Sequence, residues 1–471
     1  MGSAVNKYIL IFMILSIATT SFTQNVFNKA FDQSNTANLT SNALEYSNQY
    51  YFTQSAYITG AALIQGVILD TNGQMVLKKT LVSNTSFDLY YGYAGALQYL
   101  SNNEFCQLYN IGLDSILQLV FFDNSLNVIR NTEFVFNNYV NAGVLKQIND
   151  STLLALGRVK VANDYNLVLI NTDLQGNERW TTIFGETGKD DYGFAIEYLN
   201  DKIIVGGQTD FAHPQIFEFN NAGQLLFDTT YTQFDNGGHL SSHQNYGLYL
   251  SGIMLKSYGR HPYLVSLNND FTINWSKEYF SNDTSVAITQ MIINQNGTLT
   301  MSGVKLVNNE FSGLFFQTNS QGDSLGSKII DHLPGKLAAF NDIRPTSDGG
   351  YIMAGETKAP TQDSWIVKVN AWGCDNIPCI VSVPEVPEDT QGSLICYPNP
   401  SNGLGTIKGS FNNASSTNQI KIYNSIGQLI LSKTITKDQF QITVQLPAKG
   451  IYFIALYQSY TLLKYQKWVV Q

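Results

Sequence analysis

The chain has 471 residues, of which 13% are charged and 13% aromatic, with a net charge of −9 and no Lys/Arg-rich run. This composition excludes nucleic-acid binding through a basic footprint, and four cysteines over such a length exclude a disulfide-built scaffold. Thr, Val, Ile, Tyr and Phe outweigh the helix-favouring residues, so an all-β chain is expected.

At the N-terminus Lys7 precedes an apolar run over 8–18, too short to span a bilayer comfortably, and small polar residues follow. This is the pattern of a cleaved export signal, residues 1–24, with the cut between Ala18 and Gln24. No later segment is apolar enough to form an integral membrane segment of the mature protein.

From there to residue 379 one unit recurs: an apolar strand ending in Asp or Asn, a short turn, then a second strand. The anchors are Asp70, Asp123, Asp173, Asn220, Asn268, Asn319 and Asn370, spaced by 53, 50, 47, 48, 51 and 51 residues. Asp and Asn side chains bond their own backbone two residues on, and Gly three positions later takes a positive φ without steric cost. These carboxylates and amides therefore read as turn residues. A ring of calcium ligands would need several carboxylates clustered in each turn, whereas four of the seven anchors are Asn.

A second register lies upstream of the anchors: Leu153 to Gly157, Ile203 to Gly207, Leu248 to Gly252, Leu299 to Gly303 and Tyr351 to Gly355. A Gly ending a buried strand permits close approach of a neighbouring backbone. Each unit thus holds about four short strands in ~50 residues, the size of one propeller blade. Residues 25–379 are expected to form a seven-bladed β-propeller. The seventh copy lacks a strand after its turn, and residues 25–31, just past the signal, are expected to supply it and close the ring. Cys374 and Cys379 flank that last turn and suggest a local disulfide, free thiols being the alternative.

Residues 380–393 have linker composition, with Pro384, Pro387, Glu385, Glu388 and Asp389. Alternating strands return at 420–423, 428–431, 440–444 and 451–456, a pattern for a small β-sandwich over 394–471. Three motifs stand in this tail: Tyr397-Pro398-Asn399-Pro400, then Ile422 to Leu429 around Gly427, then Leu446 to Phe453 with Gly450 and Tyr452. Together with Lys467 and Val470 near the end, they resemble the C-terminal sorting domain of type IX secretion substrates. The resemblance implies passage across the inner membrane by the N-terminal signal and across the outer membrane by the tail, with the type IX machinery as partner. Residues 347–355 and 365–370 resemble repeats of exported propellers, which add architecture and not activity.

No catalytic constellation emerges. His239 and His243, four apart, would suit a metal only on a helix; in a β context they read as a solvated loop. His213 and His261 each precede a proline, Pro214 and Pro262, and read as turn residues. Asp190 and Asp191 are adjacent, and neighbours on a strand point to opposite faces, which disfavours a paired-carboxylate site. No Gly-x-Ser-x-Gly elbow and no sialidase-type Asp boxes occur, and Trp180, Trp275 and Trp365 fall in blade strands, where packing accounts for them. No cofactor is expected. The leading expectation is a non-enzymatic exported propeller that binds or displays a glycan or protein ligand. The alternatives are a polysaccharide- or peptide-active hydrolase with its site on the propeller face, and a structural matrix component.

Overall fold

The computed structural model describes residues 25–471 apart from 32–37, 41, 59–60, 85–88, 92–95, 112–114, 211, 258, 281–284, 359–360, 376–391, 412–417, 425–428, 447 and 459–460. The export-signal segment and most of the expected linker lie outside the described residues. The chain divides into two compact units, 1–379 and 380–471. Every described regular element is a β-strand.

In the first unit the described residues form seven sheets. The third is representative: an inner strand Val140–Asn149, a second Thr152–Val161, a third Asp164–Thr172 and an outer Glu178–Phe184, each antiparallel to the next. The middle strands are continuously apolar and buried, as at Leu153 to Leu156 and Leu167 to Ile170, because both faces of each sheet are covered by neighbouring sheets. The outer strand alternates exposed and half-buried residues. The second sheet departs from the pattern: two short strands, Leu89–Tyr91 and Leu97–Tyr99, share its inner position. Inner strands of consecutive sheets contact one another, and the inner strand Ala43–Tyr46 of the first sheet contacts Ala338–Pro345 of the seventh, so the sheets form a closed ring. This is a β-propeller.

The seventh sheet takes its outer strand from the start of the described chain. Phe27–Phe31 pairs antiparallel with Gln362–Val369, Phe27 opposite Lys368 and Phe31 opposite Ser364. Asn28 locks the seam: its Oδ1 accepts from Trp365 Nε1 at 2.7 Å, and its Nδ2 donates to the Asp331 carbonyl and to Asp375 Oδ2. Pairing the ends covers the Gln362–Val369 strand and completes the seventh sheet with an outer strand like those of the others.

The two sequence registers acquire physical reasons. At the anchor, Asp173 Oδ1 accepts the N–H groups of Gln175 and Asn177, both at 2.9 Å, while Gly176 N–H returns to the Asp173 carbonyl. Asp70, Asp123, Asn220, Asn319 and Asn370 repeat the same two-residue and four-residue acceptance. Asn268 differs: it donates from Nδ2 to Thr272 Oγ1, and Asp270 Oδ1 takes the Thr272 N–H. Each corner also seats on the preceding sheet. Gly223 lies against the ring of Trp180 and Gly322 against that of Trp275, so closely that a Cβ would fall 2.6 Å from either. In two copies a non-glycine holds the positive φ, Leu126 (59°) and Phe271 (63°). Both are buried; Leu126 reaches over Gly66 of the first sheet, and Phe271 stacks on Phe227 of the fourth. Burial of a large apolar side chain there offsets the backbone strain.

The upstream glycines answer a bulge. The register of the inner strand slips by one residue at Gly143, Phe194, Gly238, Thr289 and Asn341. At that slip an inner-strand carbonyl swings over the second strand. A Cβ at Gly303 would lie 2.0 Å from the Ala287 oxygen, and one at Gly355 only 1.9 Å from the Ala339 oxygen. The bulge and the glycine are therefore one device, repeated around the ring.

The second unit is a β-sandwich. A three-stranded sheet runs Gly392–Tyr397, Leu404–Phe411, Gln439–Gln445, and a four-stranded sheet runs Leu429–Thr434, Gln419–Asn424, Gly450–Gln458, Thr461–Val470. Leu394, Ile407 and Val444 of one sheet meet Ile422, Ile454 and Trp468 of the other in a shared core. The strands Gly392–Tyr397, Leu404–Phe411 and Thr461–Val470 add to those read from alternation.

Candidate functional site

The propeller axis holds a cavity of about 660 Å³, lined by inner strands of the second to seventh sheets. Three of its charged groups stand at one repeat position. Lys146, Glu197 and Arg344 each lie opposite the residue three places before the second-strand glycine, Leu154, Ile204 and Ile352 respectively. Ser241 and Ile292 occupy that position in the fifth and sixth sheets. Lys146 Nζ and Glu197 Oε2 pair at 2.7 Å across adjacent sheets, and Ser242 Oγ donates to the same oxygen at 2.7 Å from the next. Arg344 donates from Nε to Asp342 Oδ2 at 3.0 Å and from its terminal nitrogen to the Leu97 carbonyl at 3.4 Å. Asp342 is buried, and Arg344 retains part of its guanidinium in the cavity, 23% exposed. Burial pushes the Asp342 carboxyl above the usual carboxylate range, with Arg344 opposing it. The cavity thus offers an ammonium, a guanidinium, a carboxylate and a hydroxyl from four different sheets within a wall of mixed polar and apolar residues. No single stretch of sequence signals it. Only aligning the inner strands on the second-strand glycines brings Lys146, Glu197 and Arg344 into one column.

The residues singled out for chemistry lie elsewhere. His239 sits within the strand Gly237–His243, not in a solvated loop; its ring stacks on Phe194 at 4.9 Å, and burial pushes the imidazole down to about 4. His261 is a buried strand residue rather than a turn residue, its Nδ1 2.8 Å from Glu278 Oε1, and His213 opens the strand His213–Phe219. The β period carries both prolines in these strands, which is why the turn reading fails there. Asp191 is buried, and its Oδ2 accepts the Glu186 N–H at 2.8 Å; burial lifts its carboxyl to about 6. Asp190 instead accepts the Tyr165 N–H at 2.9 Å, so the two carboxylates do not converge. Among the described residues no three His, Cys, Asp or Glu side chains are grouped to hold a metal ion. Cys374 is disulfide-bonded, and Cys379 lies outside the described residues. Cys106 and Cys396 are free and buried.

In the tail the motif residues gather on the last strand. Asn399 donates from Nδ2 to the Lys467 carbonyl at 2.7 Å and accepts the Val469 N–H at Oδ1 at 2.8 Å. One side chain thereby presents the donor and acceptor of a strand neighbour. Pro398 and Pro400 flank it, and both of their peptide bonds are cis. Ser401 extends the contact: its N–H donates to the Val469 carbonyl, its carbonyl accepts from Gln471, and its Oγ accepts from Trp468 Nε1 at 3.0 Å. Gly405 lies against the indole so closely that a Cβ would fall 2.2 Å from it. Tyr452 is buried with its hydroxyl on the Ala448 carbonyl, Gly450 opens that strand, and Lys467 is exposed. Gly427 lies outside the described residues.

Residues 395–471 match the family model of the secretion system C-terminal sorting domain. The tail is a type IX sorting domain. The sorting domain makes the protein a secreted or cell-surface one. Among solved structures, an ulvan lyase of a polysaccharide lyase family is similar with a TM-score of 0.51 at 10% identity, over 74% of this chain and 96% of that one. A neuraminidase-like protein of A/flat-faced bat/Peru/033/2010 aligns over 75% of this chain and 98% of that one, with 10% identity and a TM-score of 0.41. The first similarity speaks to fold alone. No curated protein matches the chain. Among the described residues no helix is long and apolar enough to cross a membrane.

Proposed function

We propose that the protein is an exported β-propeller that binds a polar ligand, a glycan or a peptide segment, in its axial cavity, delivered across the outer membrane by its sorting domain after an N-terminal signal is removed. In this reading the boundaries are a propeller over 25–379, a linker over 380–393 and a sorting sandwich over 394–471. The carrying observation is the chemistry of the cavity wall, where Lys146, Glu197, Ser242 and Arg344 reach one cavity of about 660 Å³ from different sheets. Hydroxyl-rich or amide-rich ligands are held by such paired donors and acceptors on a rigid frame. The corner residues Asp70 to Asn370 serve the scaffold in this reading.

The test is binding of the secreted protein to a panel of polysaccharides and peptides, with turnover followed in the same samples. Lys146→Met and Arg344→Met should each weaken binding about tenfold or more, the worth of one charge-assisted hydrogen bond, with the melting curve retained. Binding unaffected by both substitutions would move the site out of the cavity.

A second reading has one observation in its favour. Asp342 is a buried carboxyl pushed upward beside a guanidinium, the environment that tunes catalytic acids. Under that reading the cavity acts on a polysaccharide, as the name of the similar ulvan lyase says of that protein. Turnover of any panel member, abolished by Asp342→Asn while binding persists, would replace the binding reading with this one.

A further inference from the structure

The cavity on the propeller axis presents its two signs of charge unequally. Where Lys146 pairs with Glu197, the lysine side chain is 32% exposed and the glutamate 12%; where Arg344 pairs with Asp342, the figures are 23% and 1%. In both pairs the cation stands forward and the carboxylate lies behind it. Hydrogen-bonding capacity is divided the same way. Glu197 Oε2 already accepts from Lys146 and Ser242, and Asp342 Oδ2 accepts from Arg344 Nε. An ammonium and a guanidinium each carry more N–H donors than these bonds use. Arg344 Nε serves Asp342 and Nη2 the Leu97 carbonyl, so Nη1 is left without a partner among the described residues. Gln290 turns its Oε1 back to the Met291 N–H, which leaves its Nε2 as a further donor. Gln147, by contrast, is occupied by Ser101 and the Asn149 carbonyl. The uncommitted capacity of these side chains is therefore mainly N–H, and its charge is positive.

We propose, resting on the reading of this cavity as the ligand site, that its ligand is an acidic polysaccharide, a hydroxylated chain whose anionic oxygens face Lys146 and Arg344. Carboxylate or sulfate oxygens match the uncommitted donors, and charge-assisted hydrogen bonds are the strong ones. A peptide fits less well. Its backbone N–H groups can only donate, and these side chains leave few acceptors to receive them, whereas a sugar hydroxyl can turn and accept. The two cations come from non-adjacent sheets, the third and the seventh, which suits a chain of repeating charge better than a single small anion. The net charge of −9 opposes polyanions over the surface at large, so retention of one depends on these local contacts.

The secreted protein is titrated with oligogalacturonate, dextran sulfate fragments, neutral maltooligosaccharide of matched length and poly-glutamate, at low and at physiological salt. One of the two acidic polysaccharides should bind about tenfold or more tightly than the neutral chain, the scale of one charge-assisted hydrogen bond, and should weaken as salt rises. The tighter of the two identifies the anionic group. Arg344→Gln and Lys146→Gln should each erase most of that preference. Glu197→Gln keeps an acceptor for Lys146 and Ser242 but removes the opposing charge, so it should raise affinity for the acidic chain several-fold. A damaged fold cannot produce that gain, and a loss in its place would overturn the charge argument. Equal binding of neutral and acidic chains, both weakened by the lysine and arginine substitutions, would overturn the acidic ligand and leave the cavity as the site. Acidic-chain binding indifferent to all three substitutions would defeat the cavity reading itself. Poly-glutamate bound more tightly than either polysaccharide would assign the ligand to the peptide class. Absence of binding by every acidic probe would overturn the proposal outright.

Discussion

Asp173 and Asn399 are the same chemical idea used at two ranges. Asp173 caps a hairpin with N–H groups two and four residues on, whereas Asn399 reaches Lys467 and Val469, 68 and 70 residues away in sequence. In the propeller the corner is self-contained, so it recurs with the sequence period and tolerates Asp or Asn. In the tail the amide is needed in full, one donor and one acceptor for the backbone of a closing strand. A carboxylate could not donate at that place. The first kind of corner builds a repeat; the second ties off a terminus.

The ring of sheets has a terminal tie of its own in Phe27–Phe31, and cutting it should have the largest effect. Deletion of 25–31 strips the outer strand from the seventh sheet, the Phe27 ring from Gly73 and the Asn28 bond from Trp365. A loss of about 3–5 kcal/mol or more is expected, the scale of one buried aromatic before its strand bonds are added. An unchanged melting temperature would mean the ring closes without this strand.

Next come the bulge glycines. Gly355→Ala drives a Cβ into the Ala339 carbonyl, and Gly303→Ala into that of Ala287. Each should cost about 1–3 kcal/mol in thermal or denaturant unfolding. A neutral result at both would separate the glycine from the bulge.

Asn399→Ala tests the long-range corner. It should cost about 1–2 kcal/mol, confined to the tail. Amide exchange at Val469 should accelerate while propeller amides keep their protection; a change spread over both units would argue against a local tie.

The smallest effect concerns acid. Partial burial pushes the Asp173 carboxyl up, but the Asn177 side chain and the N–H groups of Asn177 and Gln175 outweigh it, leaving the group below its ordinary value. A depressed carboxyl contributes stability that is present above its unfolded value and lost as pH falls through the folded one. Acidification below about 4 should therefore weaken the corners at Asp123 and Asp173 and spare the Asn corners. Asp173→Asn should narrow the difference in melting temperature between pH 7 and pH 3 without lowering the value at pH 7. An equal or wider difference would show that the carboxylate is not what titrates.

Much of the propeller was legible because its determinants are local. The anchor at Asp173, the glycine at 176 and the strand patterns on either side all act within one hairpin, and the period made the anchor visible seven times and the glycine five. The closing strand was legible for the same reason, since the seventh unit is one strand short. The histidines misled where local rules ran out. Pro214 and Pro262 read as breaks, but their missing N–H groups cost little at the positions they take in the sheets.

What the sequence determined by itself is the repeat, the all-β class and the sorting tail, because hydrophobic period, turn chemistry and family motifs are written in neighbouring residues. Tertiary structure alone decided the cavity. Lys146, Glu197 and Arg344 reach it only because a ring of sheets brings positions about 50 and 150 residues apart to one axis. Contacts of that kind depend on closure and pairing, which no local pattern encodes.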